Sequence, residues 1–305
     1  MSRRKNGEDK LKVTPRTLME PFLYSLPFMT ICLVFTIYPV INVFMMSVME
    51  NYNFLQQTYT SIGVDNFRYI LEDKYFHNAM QNTLIYVFTV VPIATAIALL
   101  IAVMLNSKLK GISVYQTIFF LPMVTSSIAI GFVWRYMFNA DYGVVNSILN
   151  LFGIASKPWL THPHMAIWAL VIFGIWNSLP FSIIMFLAGL QNIDEKYYIA
   201  ARLDGAKPFR ILTRITIPLL SPTIALVLIV RVISASKVFN EVYALWNGQP
   251  GPAGSLHTMV YYIFQQFYNK WEVGYASAAA VVLFLVVFVL TLIQLFVQKK
   301  FSYDK

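Results

Sequence analysis

The chain has 305 residues, 58% of them hydrophobic and 12% charged, with a formal net charge of +9 and a mean hydropathy of +0.61. Soluble domains carry roughly a quarter charged residues, so this composition excludes a soluble globular protein and defines an integral membrane one. The basic surplus is spread as a topology signal rather than as a nucleic-acid patch, and the single Cys32 excludes a disulfide within one chain.

A membrane-spanning helix needs roughly 20 mainly apolar residues. Six stretches qualify, at about 19–48, 81–105, 112–138, 164–190, 219–246 and 274–298. Residues 1–18 form a charged tail headed by SRRKNGEDKLK, too long and too poor in small residues for a cleaved signal, so the first helix is retained. Residues 19–300 then make one six-span domain, an all-α membrane bundle.

Lys and Arg orient it. With the N-terminus inside, inner segments hold 16 basic residues and outer segments hold 4, namely Arg68, Lys74, Lys157 and Lys270. The positive-inside rule therefore places both termini and the 191–218 loop in the cytoplasm. On the outer side, GVDNFRYILEDKYFHNAMQNT at 63–83 sets Phe67, Ile70, Leu71, Phe76 and Met80 at helical spacing, which predicts one amphipathic interfacial helix. Residues 139–163 read as a loop, and the Tyr- and Phe-rich 257–271 as part of the interfacial belt.

Polar residues within spans are costly and face cavities or partners. Arg231 lies ~18 Å along the fifth span from Leu219 at 1.5 Å per residue, near mid-membrane. Ser234, Ala235, Val238, Glu241 and Val242 follow at three- and four-residue steps on the same face. Lys237 and Glu241 are four apart and positioned to pair. On the fourth span Gly174, Asn177, Ser178 and Phe181 share a face, with Trp176 available to stack on a sugar ring. Asn177 and Ser178 have two readings, a polar pathway wall or helix-to-helix packing. Arg231 also has two: it receives an anionic cargo, or it pairs with an acid on a partner subunit. Arg135, after Trp134, is expected to snorkel to the outer interface.

No catalytic constellation emerges. GxxxxGK[ST], HExxH, GxSxG and CxxC are absent, and His77, His162, His164 and His257 have no metal-ligand spacing. The chain is therefore not expected to bind ATP by a P-loop. An ion-driven transporter would need paired intramembrane acids and paired broken helices, yet Glu241 is the one candidate acid and no internal repeat is evident.

The most distinctive stretch is DEKYYIAARLDGAKPFRILTRITIPLLSP, 194–222. Asp194 is an N-cap and 194–203 a helix; Gly205 permits a reversal and Pro208 opens a second short helix. Ala200, Ala201 and Ala206 form a small-residue face for the approach of another surface.

This segment resembles the EAA loop of permease subunits of binding-protein-dependent ABC importers. The likeness is carried by AARLDGA and ITIPLLSP; the family's glutamate is replaced by Ile199, with Glu195 one turn earlier as a candidate substitute. FFLPMVTSSIAIGFVWRYMFNADYGVVN at 119–146, LPFSIIMFLAGLQNI at 179–193, GYASAAAVVLFLVVFVLTLIQ at 274–294, GVDNFRYIL, NTLIY and WNGQPGP at 246–252 extend it over about residues 20–300, toward the carbohydrate-uptake branch, of maltose and glycerol-3-phosphate type. The resemblance implies a saccharide importer subunit in the cell membrane. Its partners would be ATPase subunits that carry ATP and magnesium, a second and dissimilar permease, an extracytoplasmic substrate-binding protein, and lipid. It implies that Glu195, Ile199, Ala200, Ala201, Asp204, Gly205 and Ala206 couple to the ATPase. It also brings Gly174, Asn177, Ser178, Arg231, Ala235 and Val238 to substrate-path positions, beside Ser234 and Glu241 from the shared face. An anionic cargo, such as glycerol phosphate or an acidic sugar, is the alternative within this class.

Overall fold

The structure, a computed structural model, describes residues 15–106 and 111–301; most of the charged tail, Lys108 and Lys110 lie outside the described residues. The chain enters through α1 (Pro15–Cys32) and α2 (Tyr38–Val48), joined by a π-turn at Leu33–Ile37. Pro39 accounts for that turn: proline gives no N–H to the carbonyl four residues back and its ring pushes it away, so the helix widens. The same arrangement recurs at Leu212–Thr216, just before Pro218. A short antiparallel pair, β1 (Met49–Glu50) and β2 (Ser61–Ile62), interrupts an otherwise helical chain.

The amphipathic segment 63–83 is not one helix. It is α3 (Asp65–Glu72) and the first turns of α4 (Lys74–Leu105), divided at Asp73. Asp73 is extended; it accepts from the Tyr75 N–H at 2.8 Å as the cap of α4, and from the Tyr262 hydroxyl at 2.7 Å. Ile70 and Phe76 are buried as expected, but Leu71 is exposed.

The third stretch is also broken. α5 (Ile112–Phe120) continues into a 3-10 turn at Leu121–Val124, then meets α6 (Ser127–Met137) at a bend of 104°. Pro122 weakens the turn, and Thr125 is extended with its hydroxyl bonded back to the Leu121 carbonyl at 3.0 Å. Such local bonding competes with helix. The expected loop 139–163 contains α7 (Val144–Leu151), and α8 (Pro163–Gln191) is one long helix.

After α8 come α9 (Glu195–Leu203), α10 (Pro208–Ile211), α11 (Ile217–Leu219) and α12 (Ser221–Ser236), with a bend of 69° between the 208–219 stretch and α12. The fifth stretch does not run on to 246 as one helix: residues 237–239 are non-helical and α13 (Asn240–Leu245) starts afresh. α14 (Met259–Phe264) and α15 (Val273–Phe301) complete the chain. Among the described residues, four helices are long and apolar enough to cross a membrane, or up to six if each bent pair is one span.

The core forms along α4 and α8. Ala94, Ala98 and Ala102 sit at four-residue steps on α4, all buried. Small residues there let helices approach closely in a bilayer, and Ala98 and Ala102 pack with Ile183, Phe186 and Leu190 of α8. Three buried asparagines tie loops to this frame. Asn82 donates to the carbonyls of Ser255 and His257 at 2.7 and 2.9 Å. Asn66 holds the carbonyls of Ser47 and Met49, and Asn146 bonds the Lys157 backbone and the Trp159 indole N–H.

Candidate functional site

Two places in the bundle collect the residues singled out above. The first is a cavity of about 290 Å³ between α8 and the break in the fifth stretch. Asn177 and Ser178 reach it from α8, Arg231, Ser234 and Ala235 from α12, and Val238 and Glu241 from the break and α13. Tyr86 of α4, Lys237 and Asn240 complete its wall.

Arg231 is anchored to α8. Its Nε donates to Ser182 Oγ at 2.9 Å, its Nη2 donates to the Ser178 carbonyl, and its guanidinium lies 4.9 Å from the centre of the Phe181 ring. Asn177 Nδ2 donates to Glu241 Oε1 at 3.1 Å. The α8 segment carrying these partners includes Pro180 inside the helix.

Several expectations change. Gly174 is buried and packs on Tyr86, whose ring a Cβ at that position would strike; it supports the wall rather than lining it. Val242 is fully buried in the core, and Trp176 packs edge-on to Trp134 at 5.5 Å, away from the cavity. Lys237 and Glu241 lose the i, i+4 relation because the helix ends between them, and Glu241 takes Asn177 instead. Arg135 lines a different cavity, of about 560 Å³, with Asp141, Tyr142 and Trp246. The sequence reading missed Tyr86, although it lies at the end of the NTLIY motif, and Ser182, one helical turn beyond Ser178.

The second place is the 191–218 loop. Asp194 caps α9 by accepting the Lys196 N–H at 2.9 Å, and Glu195 occupies the first turn. α9 ends in a Schellman motif: the N–H of Ala206 bonds the Ala201 carbonyl at 2.9 Å, and that of Gly205 bonds the Arg202 carbonyl at 3.0 Å. Gly205 has φ +69°, the left-handed region where glycine is favoured, and open space around it. Pro208 opens α10 as expected.

The small-residue face is divided. Ala200 is exposed, but Ala201 is buried, and Ala206 lines a cavity of about 510 Å³ behind α9 with Tyr198, Arg202 and Thr216. What the loop turns outward is apolar and large: Ile199 is 50% exposed, Phe209 75% and Leu203 84%, with Asp204 beside them. Tyr198 reaches the Thr216 hydroxyl at 3.4 Å, so α9 touches the segment that feeds α12.

Among the described residues, no group of three or more His, Cys, Asp or Glu side chains is placed to hold a metal. His77, His162 and His257 bond neighbouring backbone instead, to Leu71, His164 and Gly254 respectively.

A bundle of membrane-length helices with a small polar cavity between them, and a capped helix–turn–helix beyond their ends, has the build of a transport subunit. The chain belongs to the family of binding-protein-dependent transport system inner membrane components, which matches residues 94–303. That family consists of transporter permease subunits of the inner membrane, and the chain is accordingly a multi-pass membrane protein.

Relatives agree along nearly the whole chain. The arabinooligosaccharides transport system permease protein AraP of Bacillus subtilis (strain 168) is 35% identical over 92% of this chain and 89% of its own length. The trehalose/maltose transport system permease protein MalF of Thermococcus litoralis is 34% identical over 90% and 92%. A crystal structure of a bacterial ABC transporter involved in the import of the acidic polysaccharide alginate matches with a TM-score of 0.81 and 25% identity, covering 95% of this chain and 98% of that one.

Proposed function

We propose that this chain forms half of the translocation path of an ATP-driven saccharide importer, with both termini and the 191–218 loop cytoplasmic. ATPase subunits carrying ATP and magnesium dock on the loop. A second permease supplies the other half of the path, and an extracytoplasmic binding protein delivers the cargo. Relatives named for arabinooligosaccharides, for trehalose and maltose and for lactose support the cargo class, and a solved neighbour was crystallised with an oligosaccharide-bound periplasmic protein.

The observation that carries the coupling role is the outer surface of the loop. Large apolar side chains exposed on an otherwise charged segment mark a protein contact, and Ile199, Leu203 and Phe209 form such a surface. Closure of the ATPase pair would push α9; α10, α11 and the bend at Leu220 pass that motion to α12, whose Arg231 grips α8. Nucleotide thereby biases two states of one cavity. The stretch Phe22–Val48 is apolar and only Ser47 in it is buried within this chain, leaving a surface for lipid and the second permease.

Purification in mild detergent, with mass identification of co-purifying chains, tests the assembly. Recovery of an ATPase and a second multi-span chain supports it. Recovery of this chain alone, with uptake insensitive to ATP depletion but sensitive to the proton gradient, would favour an ion-driven carrier.

A further inference from the structure

The cavity wall carries an unbalanced charge. Every partner of Arg231 given above is neutral: the Ser182 hydroxyl, the Ser178 carbonyl and the Phe181 ring. A guanidinium has five N–H donors, and two are engaged there. Lys237 also lines the cavity; it is exposed, and it sits on the non-helical break where pairing with Glu241 is lost. Glu241 is the one carboxylate on the wall, and Asn177 already donates to it. No other acidic residue occurs at 81–105, 112–138, 164–190, 219–246 or 274–298. Two cations therefore face one carboxylate on this cavity wall, and charge left uncompensated among apolar helices is costly and marks a pathway or a partner.

We propose that the cargo of this cavity is a saccharide bearing an oxyanion, a carboxylate, sulfonate or phosphate, that is received by Arg231 and Lys237. The planar guanidinium fork fits a bidentate oxyanion, and its two bonds to α8 hold it in place. Lys237 adds a mobile point charge at the break. Asn177, Asn240 and Glu241 supply hydrogen bonds to hydroxyls, since carboxylate and amide oxygens have acceptor capacity beyond a single bond. The cavity of about 290 Å³ in this half of the path has room for one charged sugar unit. The proposal rests on the importer reading.

The test uses the complete transporter, purified with its co-purifying subunits and reconstituted in liposomes with ATP inside and its binding protein outside. The external probe is a polysaccharide hydrolysate containing neutral and uronate oligosaccharides, mixed with sulfonated sugars and sugar phosphates. Mass spectrometry of the lumen reports what enters and which oxyanion it carries. The expected result is ATP-dependent accumulation of anionic species. Arg231→Gln and Lys237→Gln each lower it roughly 10- to 100-fold, the range expected for one charge-assisted bond, and Arg231→Lys retains part of it. Lys237 is exposed, so its variant reports even if Arg231→Gln fails to assemble. Accumulation of neutral oligosaccharides, untouched by Lys237→Gln, overturns the oxyanion proposal and leaves the importer standing. If Arg231→Gln lowers neutral and anionic uptake alike while Lys237→Gln is inert, Arg231 serves an acid on the second permease and the proposal fails. Absence of ATP-dependent accumulation of any saccharide removes the importer reading and this one with it.

Discussion

Asn177 donates to Glu241 at 3.1 Å, and the bond joins α8 to the far side of the break in the fifth stretch. On the near side Arg231 donates to Ser182 at 2.9 Å. Both ties land within residues 177–182, on either side of Pro180. Proline leaves the Trp176 carbonyl without its helical N–H, so α8 is weakest where the two arms hold it. α12 and α13 can then pivot about 237–239 only by also working α8 at its proline. Under the proposed coupling, this geometry is what would carry a motion begun at α9 to the cavity.

The Asn177–Glu241 tie should be measurable as a coupling. Interhelical hydrogen bonds in membrane proteins contribute about 1 kcal/mol, with more when a carboxylate is left unpaired. Asn177→Ala is expected to lower the thermal midpoint of the purified complex. Combined with Glu241→Gln, the loss should be smaller than the two single losses added. Strict additivity would mean that the two side chains do not interact in the assembled transporter.

Gly174 was read from the sequence as a pathway residue, yet it packs on Tyr86. Gly174→Ala should therefore act on stability, at about 1–3 kcal/mol for overpacking, and should leave the ranking of cargoes unchanged. Tyr86→Leu should restore part of the lost stability. A change in cargo preference without loss of stability would return Gly174 to the pathway.

The reversal after α9 depends on backbone conformation alone, since nothing lies within 4 Å of a Cβ placed on Gly205. Asparagine tolerates the left-handed region and most residues do not, with a penalty of roughly 1–2 kcal/mol. Gly205→Asn is expected to retain co-purification of the ATPase, and Gly205→Val to lose it. Equal behaviour of the two variants would show that the turn is not what positions α9.

Local features of this fold were legible in the sequence because a single turn of chain decides them. The Asp194 cap, the Gly205 reversal, the Pro208 start and the long helix at 163–191 all stand where local chemistry puts them. The break at 237–239 was not legible. Ser236, Lys237, Val238 and Phe239 include neither Pro nor Gly; the helix is ended from a distance, as Thr258 donates to the Val238 carbonyl at 2.8 Å. A face drawn through 231–242 therefore grouped Val242 with Arg231 and set Lys237 to pair with Glu241. The bend at 121–126 did leave signals, in Pro122 and in the Thr125–Ser126–Ser127 run, which an average of hydropathy across the stretch concealed. Asn66, Asn82 and Asn146 were legible as letters of familiar motifs. Their work, holding carbonyls and an indole far along the chain, needed coordinates.

Leu203 offers the cleanest separation of folding from coupling. It is 84% exposed at the end of α9 and lines none of the cavities described above. Surface substitutions away from packing usually change stability by about 0.5 kcal/mol or less, so Leu203→Asp should leave the thermal midpoint of this chain in place. An apolar anchor buried against a partner is different, since truncating one costs about 2 kcal/mol or more, and a buried charge adds to that. Co-purification of the ATPase should then fall at least roughly tenfold, by the relation of 1.4 kcal/mol to one decade. Ile199→Glu, which restores the family's acidic residue at a half-exposed position, should be tolerated in the same assay, whereas Leu203→Asp should not. Undiminished ATPase recovery with Leu203→Asp would move the contact off the tip of α9 and onto Phe209 or the charged side chains around it.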